Sequence, residues 1–108
     1  MRQAQVFRNK ELAGTLTEDD EGQYAFSYTD AWFADPTKPA ISLTLPKSQK
    51  AYTSAILFPF FFNMLSEGVN RKLQSRALRI DEKDHFGLLL ATAQDDTIGA
   101  ITIKSVKE

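Results

Sequence analysis

Chemistry has few places to start in this chain. Its 108 residues include one histidine, His85, and no cysteine, so thiolate catalysis, disulfides and cysteine-ligated zinc are excluded. General acid–base or nucleophilic catalysis needs a positioned base beside a reactive group. His85 instead follows Asp84, a candidate helix N-cap, where an imidazole is more often exposed or locally bonded than catalytic. Asp95 and Asp96 could hold a cation, but two carboxylates without further ligands read better as a polar turn before a strand. The acidic run Glu18-Asp19-Asp20-Glu21 lacks the spacing and closing Glu of an EF-hand and reads as a solvated turn. No Gly-rich phosphate loop, kinase catalytic loop or H-E-x-x-H pair is present. No enzyme activity, metal or cofactor is expected.

Binding chemistry is better represented. Arg71, Lys72, Arg76 and Arg79 lie mostly on one side of a candidate helix with no acid among them, a stripe suited to an acidic protein surface or simply to solvent. Thirteen basic against fourteen acidic residues leave a formal net charge of −1, far from the basic excess that neutralising phosphates requires, so nucleic acid is not the expected ligand. Elimination leaves a protein–protein binding module. Residues 1–6 contain no apolar signal-peptide core, and the longest apolar run, 55–62, is too short to span a bilayer. With the absence of cysteine, these features predict a cytoplasmic protein.

The elements that must position such a surface follow from periodicity. The length suits one domain, 1–108, with one core. Gln5–Arg8 and Leu12–Leu16 read as a hairpin linked by Asn9-Lys10-Glu11. Tyr24, Phe26 and Tyr28 alternate with Ala25 and Ser27 as a strand whose three aromatics share one core face. Residues 29–40, with two Asp and two Pro around Trp32 and Phe33, read as a structured loop. Ile41, Leu43 and Leu45 predict another strand ending at Pro46. Thr53 or Ser54 could cap a helix reaching about Leu65 and ending before Gly68, although Pro59 would kink it or delay its start. That helix is apolar around nearly its whole circumference, as expected of a segment buried on several sides or carrying an interface. Val69, Leu73, Ala77 and Ile80 recur at helical spacing in a second helix, and a third short one starts at Asp84 and buries Phe86, Leu89 and Leu90. Ile98–Lys104 reads as a closing strand. The expected class is α+β: a small, mostly antiparallel sheet or partial barrel packed with about three helices.

Three stretches together resemble the N-terminal subdomain of the HipA-type serine/threonine toxin kinases. They are Leu12-Ala13-Gly14-Thr15-Leu16, Ile41-Ser42-Leu43-Thr44-Leu45-Pro46, and Phe60-Phe61-Phe62-Asn63-Met64-Leu65-Ser66-Glu67-Gly68. Phe86-Gly87-Leu88-Leu89 and Gly99-Ala100-Ile101 follow in the family's order, so the resemblance runs from about residue 4 to 104. The sequence lacks the ATP-binding and catalytic motifs of those kinases. It is similar instead to the HipS family, the separate small subunits of tripartite HipBST toxin–antitoxin systems. That resemblance implies an antitoxin that binds and inhibits a HipT-like kinase in a complex with a HipB-like DNA-binding protein. The alternative it leaves is a scaffold that joins the kinase to that partner without inhibiting it.

Departures from the kinase pattern mark where a separate subunit would differ. Phe62 stands where the fused family usually has a polar residue, which suits either a new contact or a repacked core beside Pro59. Ser66 replaces the family's Pro, leaving a Ser66-Glu67-Gly68 turn that could reach a partner cleft. Ala93-Gln94-Asp95 replaces Gly-Arg-Asp, and one extra residue precedes Gly99. The expected partner contacts are therefore Trp32, Phe62 and the 66–68 turn, rimmed by Arg71, Lys72 and Asp95.

Overall fold

The structure is a computed structural model that describes residues 1–65, 68–93 and 101–106. Strands β1 (Arg2–Arg8) and β2 (Glu11–Glu18) form the predicted hairpin. Asn9 and Lys10 both take positive φ, 50° and 69°, so the link is a two-residue turn whose twist matches that of the strands, and Glu11 belongs to β2 opposite Arg8. Val6 pairs with Gly14 but Phe7 pairs with Leu12, which leaves Ala13 as the extra residue of a β-bulge. A Cβ on Gly14 would stand 2.6 Å from both the Phe26 ring and the Ser27 carbonyl oxygen. Only glycine admits that approach.

Strand β3 (Tyr24–Tyr28) pairs with β2, β4 (Ala51–Ser54) with β3, and β5 (Ile101–Ser105) with β1. The order is β4-β3-β2-β1-β5, antiparallel throughout. With β4 and β5 at opposite edges the sheet is open and not closed into a barrel, within the expected α+β class. Among the described residues four helices accompany it: α1 (Asp30–Ala34), α2 (Pro59–Phe62), α3 (Gly68–Leu78) and α4 (His85–Thr92). None is long and apolar enough to cross a membrane.

Register places Ala4, Leu16 and Phe26 in one cross-strand row and Val6, Gly14 and Tyr28 in the next. This face carries the core. Phe26 meets Tyr28 edge-on at 4.9 Å and Phe61 of α2 at 5.7 Å, while Phe86, Leu88 and Leu89 of α4 are buried with them. The same register puts Arg2, Glu18 and Tyr24 in a polar row at the end of the face.

The segment Ile41–Leu45 is not a strand. It forms turns, with Leu45 N–H donating to the Ser42 carbonyl at 3.1 Å. The buried Tyr28 hydroxyl decides this: it accepts from Ile41 N–H at 3.1 Å and donates to the Leu45 carbonyl. Ile41 and Leu45 are thereby held in the core while Leu43 projects outward, 99% exposed. The actual edge strand is β4, built partly from Thr53 and Ser54, which the sequence suggested as helix caps. Proline explains the displacement. Phe58 is held extended (φ −54°, ψ 136°) ahead of Pro59, which occupies the first turn of α2 where its missing N–H costs nothing. After Phe62 the chain continues through the tighter bonds Met64 N–H to Phe61 O and Leu65 N–H to Phe62 O. Gly68 accordingly opens α3 instead of closing a longer helix. Within the expected loop 29–40, the Thr29 side chain caps α1 by accepting from Trp32 N–H at 3.2 Å. The closing strand is described from Ile101 only; Ile98 to Ala100 lie outside the described residues.

Tyr28→Phe keeps the ring but leaves the Ile41 amide and the Leu45 carbonyl without partners in the core. Urea denaturation should report a loss of about 1–3 kcal/mol, and an unchanged midpoint would show that the hydroxyl does not hold the turns.

Candidate protein interface

Phe62 is the last residue of α2 and is half-buried. Its ring meets the His85 imidazole edge-on at 5.0 Å, and the Arg71 guanidinium lies 5.4 Å from its centre. Three elements therefore converge on one aromatic: α2, the first turns of α3, and the start of α4. The Arg71 Nε is buried with no hydrogen-bond partner among the described residues. Beside Phe62 lies an open cleft of about 360 Å³ lined by Ile56, Leu57, Pro59, Phe62, Asn63 and His85. Ile56 is 68% exposed at its mouth. Among the described residues no carboxylate lines the cleft, and no group of three His, Cys, Asp or Glu side chains suited to a metal occurs. Apolar walls with an imidazole, an amide and a nearby guanidinium suit the aliphatic or aromatic side chain of a partner.

His85 is held there by its neighbour. Asp84 caps α4, accepting from Gly87 N–H at 3.1 Å, and receives Arg2 through two hydrogen bonds of 3.0 and 2.7 Å. Arg2 also donates to Glu18 from Nε at 2.9 Å and from Nη2 at 2.6 Å, and Glu18 accepts from the Tyr24 hydroxyl at 2.9 Å. The Arg2 bonds hold the Asp84 carboxyl below its usual range, against the opposing effect of burial. Burial, aided by the bond to Glu18, pushes the Tyr24 phenol up to about 12.

The expected contacts separate on this structure. Phe62 and Arg71 come together, and Lys72 lies exposed one residue further along α3. Gly68 is the first residue of that helix. Trp32 belongs to the core: it is 4% exposed, and its indole N–H donates to the Pro39 carbonyl at 2.8 Å. In the free chain its ring is covered, because the 35–47 loops close over it. Ser66, Glu67 and Asp95 lie outside the described residues.

Several surface residues escaped the sequence reading. The recurring apolar positions of α3 do not form its inner face: Val69 is 72% and Leu73 57% exposed, and Ser75 is the buried residue of the helix. Ser75 can sit inside because its hydroxyl bonds the Lys72 carbonyl at 2.9 Å. A second open groove runs beside Leu43, between Pro39, Ile41, Pro46 and Phe60. Ile56 lies inside the apolar run 55–62, where nothing in the sequence sets it apart from the buried Leu57 and Phe58. No signal marked Leu43 either, whose spacing matches the buried Ile41 and Leu45.

An open antiparallel sheet accompanied by helices places the described residues in the α+β class. Comparison makes the class specific: the chain belongs to the HipA N-terminal domain family, whose signature covers residues 4–104. The solved N-terminal domain of HipA toxin superposes with a TM-score of 0.74 at 32% identity, covering 100% of this chain and 95% of that one. An uncharacterized protein of Haemophilus influenzae is 33% identical over 108 residues, 100% of this chain and 96% of its own length. Two Sinorhizobium fredii proteins named as candidate kinases, Y4mE and Y4dM, are 29% and 30% identical. They match 82% and 86% of this chain, which spans only 21% and 24% of their lengths. The likeness is to the N-terminal domain of HipA and not to its catalytic domain.

Asp84→Asn retains a capping side chain but removes the charge that pairs with Arg2. A carboxyl lowered on folding stabilises above its ordinary value of 3.8 and loses that contribution as the pH falls through the folded value. The variant should melt lower than the parent at neutral pH, and the two melting curves should converge in acid. A gap independent of pH would assign the effect to capping alone.

Proposed function

We propose that this chain is an antitoxin that binds and inhibits a HipT-like serine/threonine kinase in the cytoplasm, within a HipBST complex that includes a HipB-like DNA-binding protein. It performs no chemistry of its own. The observation that carries the reading is the size relation among its relatives. The same domain makes up about a fifth to a quarter of proteins named as candidate kinases and nearly the whole of the Haemophilus chain. A domain fused to a kinase meets it at high effective concentration, whereas a separate one must hold it through surface affinity. The uncovered cleft at Phe62 supplies such a surface. The inhibitor acts by docking on the kinase N-lobe and holding the ATP or substrate site in an unproductive arrangement. Phe62 and Arg71 make the principal contact, with Lys72, Asp95 and the 66–68 turn at its rim.

The presence of a second apolar groove beside Leu43 favours one other reading, a scaffold that holds two partners at once and leaves kinase turnover intact. Substrate phosphorylation by a HipT-like kinase, titrated with the purified protein at fixed ATP, separates the two. Activity should vanish near one equivalent; full activity in a demonstrated complex would establish the scaffold, and no complex would end both readings. Phe62→Ala should weaken kinase binding by about 1–3 kcal/mol without loss of the fold, as read by calorimetry beside a thermal melt. A large fall in melting temperature would show that Phe62 serves the core.

A further inference from the structure

Most of the thirteen basic residues, Arg8, Lys10, Lys47, Lys83 and Lys104 among them, make no ion pair among the described residues, and what sets the α3 region apart is that four of these cations fall within residues 71–79. Arg2, Lys38 and Lys50 have carboxylate partners on the fold, in Glu18 and Asp84, Glu11 and Asp30 respectively. Arg71, Lys72, Arg76 and Arg79 make no ion pair among the described residues, and the 68–78 helix contains no acid. Lys72 and Arg76 stand four residues apart on one exposed face, where like charges repel and weaken the helix. That face also displays Val69 and Leu73, the two most exposed apolar residues of the helix, at the adjoining i, i+3 and i+4 positions. A merely solvated face would carry polar residues there. The cost of exposed apolar groups and repelling cations disappears if the face is covered by a surface of opposite charge.

We propose that the outer face of α3, with Val69 and Leu73 at its centre and Lys72 and Arg76 along its edge, docks an acid-rimmed apolar surface of the kinase. This rests on the kinase-binding reading and extends it from the Phe62 cleft to a second patch on the neighbouring helix. Charge complementarity selects this occupant. A second copy of the chain would set α3 against α3 and oppose like charges. A nucleic acid would satisfy the cations but leave Val69 and Leu73 against phosphates, and the formal net charge of −1 would oppose its approach. Arg71 ties the two patches together, since it lies on the same helix and over the Phe62 ring.

The test compares the full-length parent with Leu73→Ser and with the double variant Lys72→Glu, Arg76→Glu for binding to a purified HipT-like kinase at low and high salt. Both variants alter exposed positions, and far-UV circular dichroism with a thermal melt checks each fold. Should the charge reversal unfold the helix, Leu73→Ser tests the face by itself. The expected result is about tenfold weaker binding by Leu73→Ser, and a slower association by the double variant that no longer falls with added salt, as the parent's does. Parent-like binding by both folded variants would overturn the α3 assignment and leave kinase binding standing. A parent that binds no kinase would overturn both. Self-association of the parent that Leu73→Ser abolishes, or retention on DNA that only the charge reversal abolishes, each with kinase affinity unchanged, would overturn the assignment in favour of a second copy or a nucleic acid.

Discussion

The contact on which the arrangement of this domain turns is the pairing of Arg2 with Asp84, between the first strand and the cap of the last helix. Eighty-two positions separate the two residues, so their meeting fixes where the helical half of the chain sits on the sheet. The same guanidinium is anchored by Glu18 on the neighbouring strand and lies 5.1 Å from the centre of the Phe86 ring. Both side chains of the Arg2–Asp84 pair stay about one-third exposed, so solvent screens their attraction and their contribution is more geometric than energetic. Burial of Phe86, Leu88 and Leu89 supplies the larger stabilisation. The bidentate pair selects one docking angle for that burial and thereby sets His85 against Phe62.

A second constraint acts at the other end of the same face. Tyr28 is buried to its hydroxyl, and that single oxygen serves one donor and one acceptor from the connection between α1 and β4. With both polar ends of the turn satisfied, Ile41 and Leu45 can enter the core without a sheet partner. Leu43 must then point away from it. Lys47 reinforces the loop by donating to the Asp35 and Lys38 carbonyls, each at 2.7 Å. A rigid, polar-stapled connection thus replaces a strand, and the grooves at Leu43 and Phe62 flank the short α2 helix.

The core consumes the aromatic residues of β3, Trp32 and most of the 57–65 segment, while the features left outside are the Phe62 cleft, the outer face of α3 and the Leu43 groove. Aromatic anchors in desolvated pockets usually carry affinity, and rim charges govern rate and specificity. On that division the proposed kinase contact would use Phe62 as its anchor and the α3 cations, which make no ion pair among the described residues, as its rim.

Strict alternation made β3 legible in the sequence, because a half-buried strand must alternate and few other structures do, while β1 and β2 were legible as short strand-like runs joined by a polar link. The cap at Asp84 was equally legible, since its side-chain bond to Gly87 is local. The α+β class followed from those elements and their order, and the family resemblance from short motifs in the family's order. The alternation of Ile41, Leu43 and Leu45 misled, because the same spacing arises in a turn whose buried residues are held by a distant tyrosine. The inner face of α3 could not be read either: a helix stripe shows which residues are alike, not which side meets the sheet, and here Ser75 and the aliphatic stem of Arg71 face inward while Val69 and Leu73 do not. Phe62 was recognised from the sequence as a residue out of pattern, yet its partners Arg71 and His85 became visible only in the fold. Local chemistry determined the elements and their caps. Contacts between residues far apart in the chain, Arg2 with Asp84 and Tyr28 with Ile41 and Leu45, decided which apolar side chains were left outside the core.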